Sequence, residues 1–467
     1  MYSNYLKSRH DICKELVQRL LKKYEYVSIL GKHVVGKSIR VTTVNTSVGD
    51  TMEKCCGFVV KIYNGKTYSE YSFSDITPET IDSLEKDIVE KTSLSSALLD
   101  THVSVTAMKD EPLIKDFVRP TEDEEPSVDT LISRLTGIKD KLQAHSDKIV
   151  QAAAIYLQHE TSAMFISKNR DLTQNFTWMN VIPYAVAREG GNIKVARNVG
   201  AFNSYEKSFK FVEDIADDVA EHAIKLLRSE HIKPGTYDII THPSITGLIA
   251  HEAFGHGVEM DMFVKHRAKS RHYVGKPVAS PLVEMHDGAA AALSAGSYFF
   301  DDDGVLAHDT LIIKNGILQT GISDAVSALQ LGTEPTGNGR RESTKRKAYT
   351  RMTNTFFAPG KDKLEDMIKS IKHGYMLFET NNGMEDPKNW NIQCTAEYGI
   401  EIKNGKLTDK IVSPVVMSGY VPDLLGSISM VSEDLEIIGS GHCGKGYKEW
   451  VCVSDGGPYL KARCKLS

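Results

Sequence analysis

The chain has 467 residues, too many for one typical hydrophobic core, so two domains are expected. Hydrophobic residues make up 41% and charged residues 25%, the balance of an ordinary globular protein. A formal net charge of −5 gives no global attraction to nucleic acid or an anionic membrane, and no apolar run approaches the ~20 residues that span a bilayer.

The N-terminal stretch MYSNYLKSRHDICKELVQRLLKKYEYV is an amphipathic helix pattern broken by charges. It lacks the apolar centre of a signal peptide, so the expected compartment is the cytoplasm, with no membrane partner. Next comes GKHVVGKS, Gly31 to Ser38, which fits the Walker A consensus letter for letter. That loop cradles phosphates only where a helix begins directly after it. Here IRVTTVNTSV comes next, β-branched and alternating, so the segment reads as a hairpin turn between strands and not as a nucleotide site. GFVVKIYNGKTYSEYSF predicts a hairpin turning at Asn64-Gly65. Thr77, Pro78 and Glu79 announce a helix over IDSLEKDIVEKTSLSSALL. TEDEEP, Thr121 to Pro126, is an acidic surface connector before a further helix reaching about Ile149. VQAAAIYLQHETSAMFISKN and TWMNVIPYAVAREG alternate like paired antiparallel strands. SYEKSFKFVEDIADDVAEHAIKLLRSE is a long amphipathic helix ending before Pro234-Gly235.

Beyond that point the texture changes. Short apolar runs alternate with glycine-rich turns, and two Lys-Asn-Gly hairpins point to antiparallel strands. We place a boundary near residue 230. Residues 1–229 form an N-terminal α/β domain of helices with a mixed or antiparallel sheet. Residues 230–467 form a mainly antiparallel β domain carrying one helix of special interest. The fold class is α+β.

Seven cysteines are an odd number, and no C-x-x-C pair occurs, which disfavours both a disulfide framework and a closed zinc knuckle. The stretch LIAHEAFGHGVEMD, Leu248 to Asp261, is more informative. His251 and His256 are five residues apart, one more than in the H-E-x-x-H signature. In a regular helix, residues five apart diverge by about 140°, so the two imidazoles cannot chelate one ion from undistorted α-helix. They can if a π-turn widens the helix between them, or if the helix ends so that His256 comes from the next loop. Gly255 and Gly257 flank the second histidine and suit an unwinding backbone. Spacing alone leaves a metal site and a hydrogen-bonded core cluster about equally supported. Glu259 and Cys443, the latter in GSGHCGKG, are the candidate third ligands, with the chemistry leaning to Cys443.

HEAFGHGVEMD, TEPTGNGRRES, YTRMTNTFFAPG and the terminal CGKG…VSDGGPYLK, in this order, together resemble the TldD/PmbA family of zinc metallopeptidases. The likeness is strongest from about Gly235 to Lys461. The TldD branch carries H-E-x-x-x-H and a distant cysteine, while the PmbA branch lacks the metal motif, so this chain resembles the metal-binding branch. The resemblance implies Zn2+ bound by His251, His256 and Cys443, with Glu252 as general base. It also implies an unfolded peptide as substrate and a homodimer, or a heterodimer with a PmbA-like subunit. His442, before the ligand cysteine, departs from the apolar residue expected there, and the wall formed by residues 281–304 does not align.

Three protein ligands leave zinc a position for water, the arrangement of a catalytic site, and Glu252 would then move the water proton to the leaving amine. In the basic segment GRRESTKRKAYTR, Arg340 and Arg341 beside the Gly-Asn-Gly turn are candidates to grip a substrate carboxylate. Lys345, Arg346 and Lys347 read as a solvated loop, and Asp301 to Asp303 as a solvated turn without the ligands of a calcium loop. Two other readings compete: a non-catalytic partner subunit with a structural metal clip, and a DNA-associated regulatory module using Arg340 to Arg351. Glu252 argues against the first, since a structural metal needs no base. The net charge argues against the second.

Overall fold

The computed structural model describes residues 2–98, 105–446 and 448–467. Helix α1 (Asn4–Leu20), capped by Ser3, buries Leu6, Cys13, Leu16, Val17 and Leu20 along one stripe, at helical spacing. It packs on an eight-stranded sheet built from β1 (Tyr26–Thr42), β2 (Thr46–Asp50), β3 (Cys55–Tyr63), β4 (Tyr68–Phe73), β5 (Leu113–Arg119), β6 (Ile149–Ile166), β7 (Arg170–Glu189) and β8 (Asn192–Arg197). The order is β4-β3-β1-β6-β7-β5, with β2 on β1 and β8 on β7; only β5 runs parallel to its neighbour. Helices α2 (Ile81–Leu98), α3 (Val128–Ala144) and α4 (Tyr205–Leu226) complete this half. The expected residue Leu99 lies outside the described part of α2. The GKHVVGKS segment is not a turn: it lies wholly inside β1, a strand of 17 residues paired with β6 from Ile29 to Thr42. The alternation that excluded a phosphate loop was therefore the strand itself. At Gly36 a side chain would collide with the Gln158 carbonyl of β6, which explains one of the glycines.

The second half begins with β9 (Gly235–Thr241) and α5 (Pro243–Leu248). β9 joins a seven-stranded sheet in the order His373–Asp386, β9, Leu460–Leu466, Val415–Tyr420, Asn391–Lys403, Lys406–Val412. Strand Asn391–Lys403 also pairs with His373–Asp386, so this sheet curls back on itself. A six-stranded sheet carries Glu436–Cys443 at its edge, paired with Val451–Gly457. Both Lys-Asn-Gly turns are hairpins, with Asn315 and Asn404 at φ 50° and the following glycines at 77° and 74°. The chain is thus α+β, with helices concentrated in the first half and strands in the second.

The two halves are joined by buried charge. Asp301 and Asp303 are 3% and 4% exposed, so the solvated-turn reading is overturned. Asp303 pairs with Lys61 of β3, and Glu70 of β4 meets both Lys61, at 3.1 Å, and Arg341, at 3.2 Å. Burial alone would raise the Glu70 carboxyl, but Lys61 and Arg341 bring it down to about 2. A carboxylate depressed in the folded state stabilises above its unfolded value, and that stability is lost as pH falls through the folded one. Acid unfolding followed by fluorescence should therefore draw on this cluster between pH ~4.5 and ~2. Glu70→Gln, which leaves two buried cations short of a partner, should cost about 3–5 kcal/mol at neutral pH in denaturant melts.

Candidate metal centre

The segment that carries the histidines enters from β9 through a well-formed helix start. His242 caps α5, Pro243 occupies its first turn, and Ile245, Leu248 and Ile249 sink into the core of the second half. From Ile249 to Gly255 the chain winds as one π-helical turn, and the His256 amide donates to the His251 carbonyl five residues back. A single 3-10 turn, His256–Val258, ends the helix. Both devices that the odd spacing requires are present in succession. A π-turn advances less per residue than an α-turn, so residues five apart return to one face. The two imidazoles stand edge to face with ring centroids 5.2 Å apart.

The flanking glycines serve a purpose different from the one their sequence suggests. Gly255 has an ordinary right-handed helical φ of −59°, so no unusual backbone freedom is used there. A side chain at Gly255 would strike the Met352 sulfur at 2.2 Å, and one at Gly257 would meet a Glu385 carboxylate oxygen at 2.7 Å. They permit close approach.

Cys443 arrives from the end of the edge strand Glu436–Cys443. Its Sγ lies 3.3 Å from His256 Nε2, and donor atoms of His251, His256 and Cys443 all fall within 4.8 Å of one another. Glu252 stays outside this trio, with Oε2 4.0 Å from His256 Nε2. Gly383 backs it closely: a side chain there would press within 2.4 Å of Glu252 Cγ. Glu259, the other candidate ligand, is instead on the far side of His256, 3.5 Å from Nδ1.

The residues fit a metal on their own chemistry. His251 is 4% exposed, and its Nδ1 is buried without a hydrogen-bond partner among the described residues. Burial would raise the Cys443 thiol, yet His256 and His251 hold it well below its ordinary value, so the sulfur is a thiolate. Burial likewise opposes protonation of His251, but the thiolate and Glu252 lift it to about 9. A thiolate and two imidazoles suit zinc in kind and number. Loading it would displace protons from the rings.

A set of residues that sequence reasoning missed supports these donors. Arg351, fully buried, donates Nε to Glu259 at 3.3 Å and a second nitrogen to the Cys443 carbonyl at 2.9 Å. Lys445 reaches Glu259 at 3.0 Å and Asp261 at 2.7 Å. Despite its burial, Glu259 is held ionised by Lys445 and His256, well below the carboxylate range. A carboxylate on the second nitrogen of a ligand histidine fixes its tautomer and its orientation. Glu259→Gln is therefore expected to weaken zinc binding roughly 10–100-fold, read by competition with a chromophoric chelator. Unchanged affinity would reduce Glu259 to a packing residue. Glu385 sits against Gly257 with both oxygens buried and without a hydrogen-bond partner among the described residues, and burial pushes its carboxyl well above the ordinary carboxylate value.

The two expected substrate arginines are placed otherwise. Arg341 is 3% exposed and committed to Glu70, and Arg340 donates at 2.6 Å to the carbonyls of both Met352 and Cys452. The Arg341 guanidinium is thus engaged inside the protein, and Arg340 is anchored through two of its nitrogens to main-chain carbonyls. The basic segment from Arg340 to Arg351 is reduced at the surface: Arg341 and Arg351 are buried, Arg340 and Arg346 half-buried, and Lys345 and Lys347 exposed. His442 points away from the trio, bonding Glu53 of the first half at 2.5 Å.

Comparison with known proteins points to one class, the metalloproteases. Residues 234–463 match the family model for the PmbA/TldA metallopeptidase C-terminal domain. A protein named metalloprotease from Methanothermobacter thermautotrophicus is 30% identical over 68% of this chain and 70% of its own length. One named zinc metalloprotease TldD homolog from Saccharolobus solfataricus is 28% identical over 64% of this chain and 67% of its own. Among solved structures, a Thermotoga maritima protein whose name proposes it as a modulator of a DNA gyrase aligns over 98% of this chain and 100% of its own. Its TM-score is 0.77 at 19% identity, a likeness of fold. The chain belongs to the TldD/PmbA family of metallopeptidases.

Proposed function

We propose that this protein is a zinc-dependent peptidase acting on unfolded or extended peptides. The observation that carries the reading is the convergence of His251, His256 and Cys443 beside a glutamate that takes no part in the trio. His251, His256 and Cys443 would hold a zinc ion, which would supply Lewis-acid chemistry there. Glu252 accepts a proton at its carboxylate and returns it to the leaving nitrogen. Glu259, gripped by Arg351 and Lys445, keeps the His256 ring turned toward the thiolate. A purely structural clip would need neither the free glutamate nor its tight backing by Gly383.

The test is hydrolysis of a reduced, unfolded casein-type substrate by zinc-loaded protein. Cleavage should vanish with a chelator and return on re-addition of zinc. Chelator-resistant cleavage, or none with one zinc bound per chain, would overturn the reading. The proposal includes a dimer, with a second copy or a PmbA-like subunit. Light scattering on the same sample, against a chain mass of 51.8 kDa, reads that part.

A further inference from the structure

We propose that the cavity between the two halves, beside the metal centre, receives a cationic group of the bound peptide: a lysine or arginine side chain, or a free amino terminus. The inference rests on the peptidase reading and adds a substrate preference to it. The cavity has a volume of about 400 Å3, and both halves of the chain line it. Asp455 ties it to the metal helix. It is among the residues that line the cavity, and its Oδ1 stands 2.6 Å from where a side chain at Gly247, one turn before His251, would begin.

The lining is rich in unused acceptors. Among the described residues, neither Glu379 nor Glu397 forms an ion pair within 4 Å or accepts a hydrogen bond through its carboxylate, and Glu397 Oε2 is wholly buried. Two further polar side chains are more than nine-tenths buried and reach this space. Asn180, 3% exposed, donates its amide to the Gly200 carbonyl at 2.7 Å and leaves its oxygen unbonded. His159, 8% exposed, has no hydrogen bond through its ring among the described residues. Glu53 is already engaged with the His442 ring. Three carboxylates, those of Glu379, Glu397 and Asp455, then face one permanent cation, Arg197.

Buried acceptors without donors cost free energy that an entering ammonium or guanidinium recovers. Burial, with Glu397 nearby, raises Glu379 to about 7, which agrees with a space short of positive charge. Apolar Leu157 and Ile182 along the same wall suit the methylene stem of a long basic side chain.

The experiment measures peptide binding to the zinc-loaded Glu252→Gln protein by fluorescence anisotropy. Labelled oligoalanine peptides carry lysine, arginine, norleucine or glutamate at each position in turn, with acetylated or free amino termini. A cation at one position, or at the free terminus, should tighten binding at least ~10-fold over its neutral counterpart, the order expected of a desolvated charge pair. The acetylated and free series tell the two sources apart. That advantage should fall toward one in Glu379→Gln, in Glu397→Gln and, to a lesser degree, in Asn180→Ala, each checked for fold by circular dichroism and for zinc content. No preference at any position, no peptide binding, or a preference that survives both glutamate substitutions would overturn the proposal. Hydrolysis plays no part in this assay, so an inactive wild-type enzyme would count against the peptidase reading alone.

Discussion

Replacing Glu252 by glutamine is expected to leave zinc stoichiometry intact and to lower peptide hydrolysis roughly 10²–10⁴-fold, the usual worth of a positioned general base. The substitution keeps the shape of the side chain, so the close backing by Gly383 is preserved. It removes only the ability to accept and return a proton. Glu252 lies outside the donor trio, which is why metal content should not change. The informative measurement is kcat with zinc content determined on the same sample. A glutamine variant with near wild-type kcat would dismiss Glu252 as the base, and a zinc-free variant would mean that the carboxylate helps hold the metal.

The second large effect is expected at Cys443. Serine in its place exchanges a soft thiolate for a neutral hydroxyl at a site otherwise made of two imidazoles. The loss of zinc affinity should exceed the roughly 10–100-fold that a supporting residue costs. A ligand that binds only the folded state stabilises it by about 2.7 kcal/mol at a concentration 100 times its Kd. If Kd rises 100-fold, the same zinc concentration contributes only about 0.4 kcal/mol. Denaturant melts with and without zinc should thus separate widely for the wild type and nearly coincide for Cys443→Ser. Equal stabilisation of both proteins would remove Cys443 from the donor set.

Some of this was legible in the chain and some was not, for physical reasons. The five-residue spacing of His251 and His256 dictated a break in helical winding, because that is a local property of the backbone, and the π-turn and the helix end answer it. The hairpins at the Lys-Asn-Gly turns were equally local. Thiolate chemistry leaned to Cys443 over Glu259 as third donor and the resemblance strengthened that choice, but nothing in GSGHCGKG says which distant segment it meets. Arg351 stood in the sequence only as the last cation of the basic segment from Gly339. Its burial depends on Glu259 and Cys443, each 92 residues away, and no local pattern reports that. Asp301 to Asp303 misled in the same way, because their partners, Lys61 among them, lie in the other half of the molecule. Gly255 and Gly257 were noticed for the right position and the wrong reason: the side chains they make room for, Met352 and Glu385, are set by tertiary packing.

The guanidinium of Arg351 ties the backbone of one donor to the carboxylate that steers another, and it does so with protein atoms alone. The receptor for the ion is thus organised by the fold before any ion arrives. Unlike a small finger domain that collapses when stripped of its metal, this molecule should keep its shape when emptied and accept a fresh ion at once. Activity could then track the supply of free metal, with no refolding step between the idle and the working state.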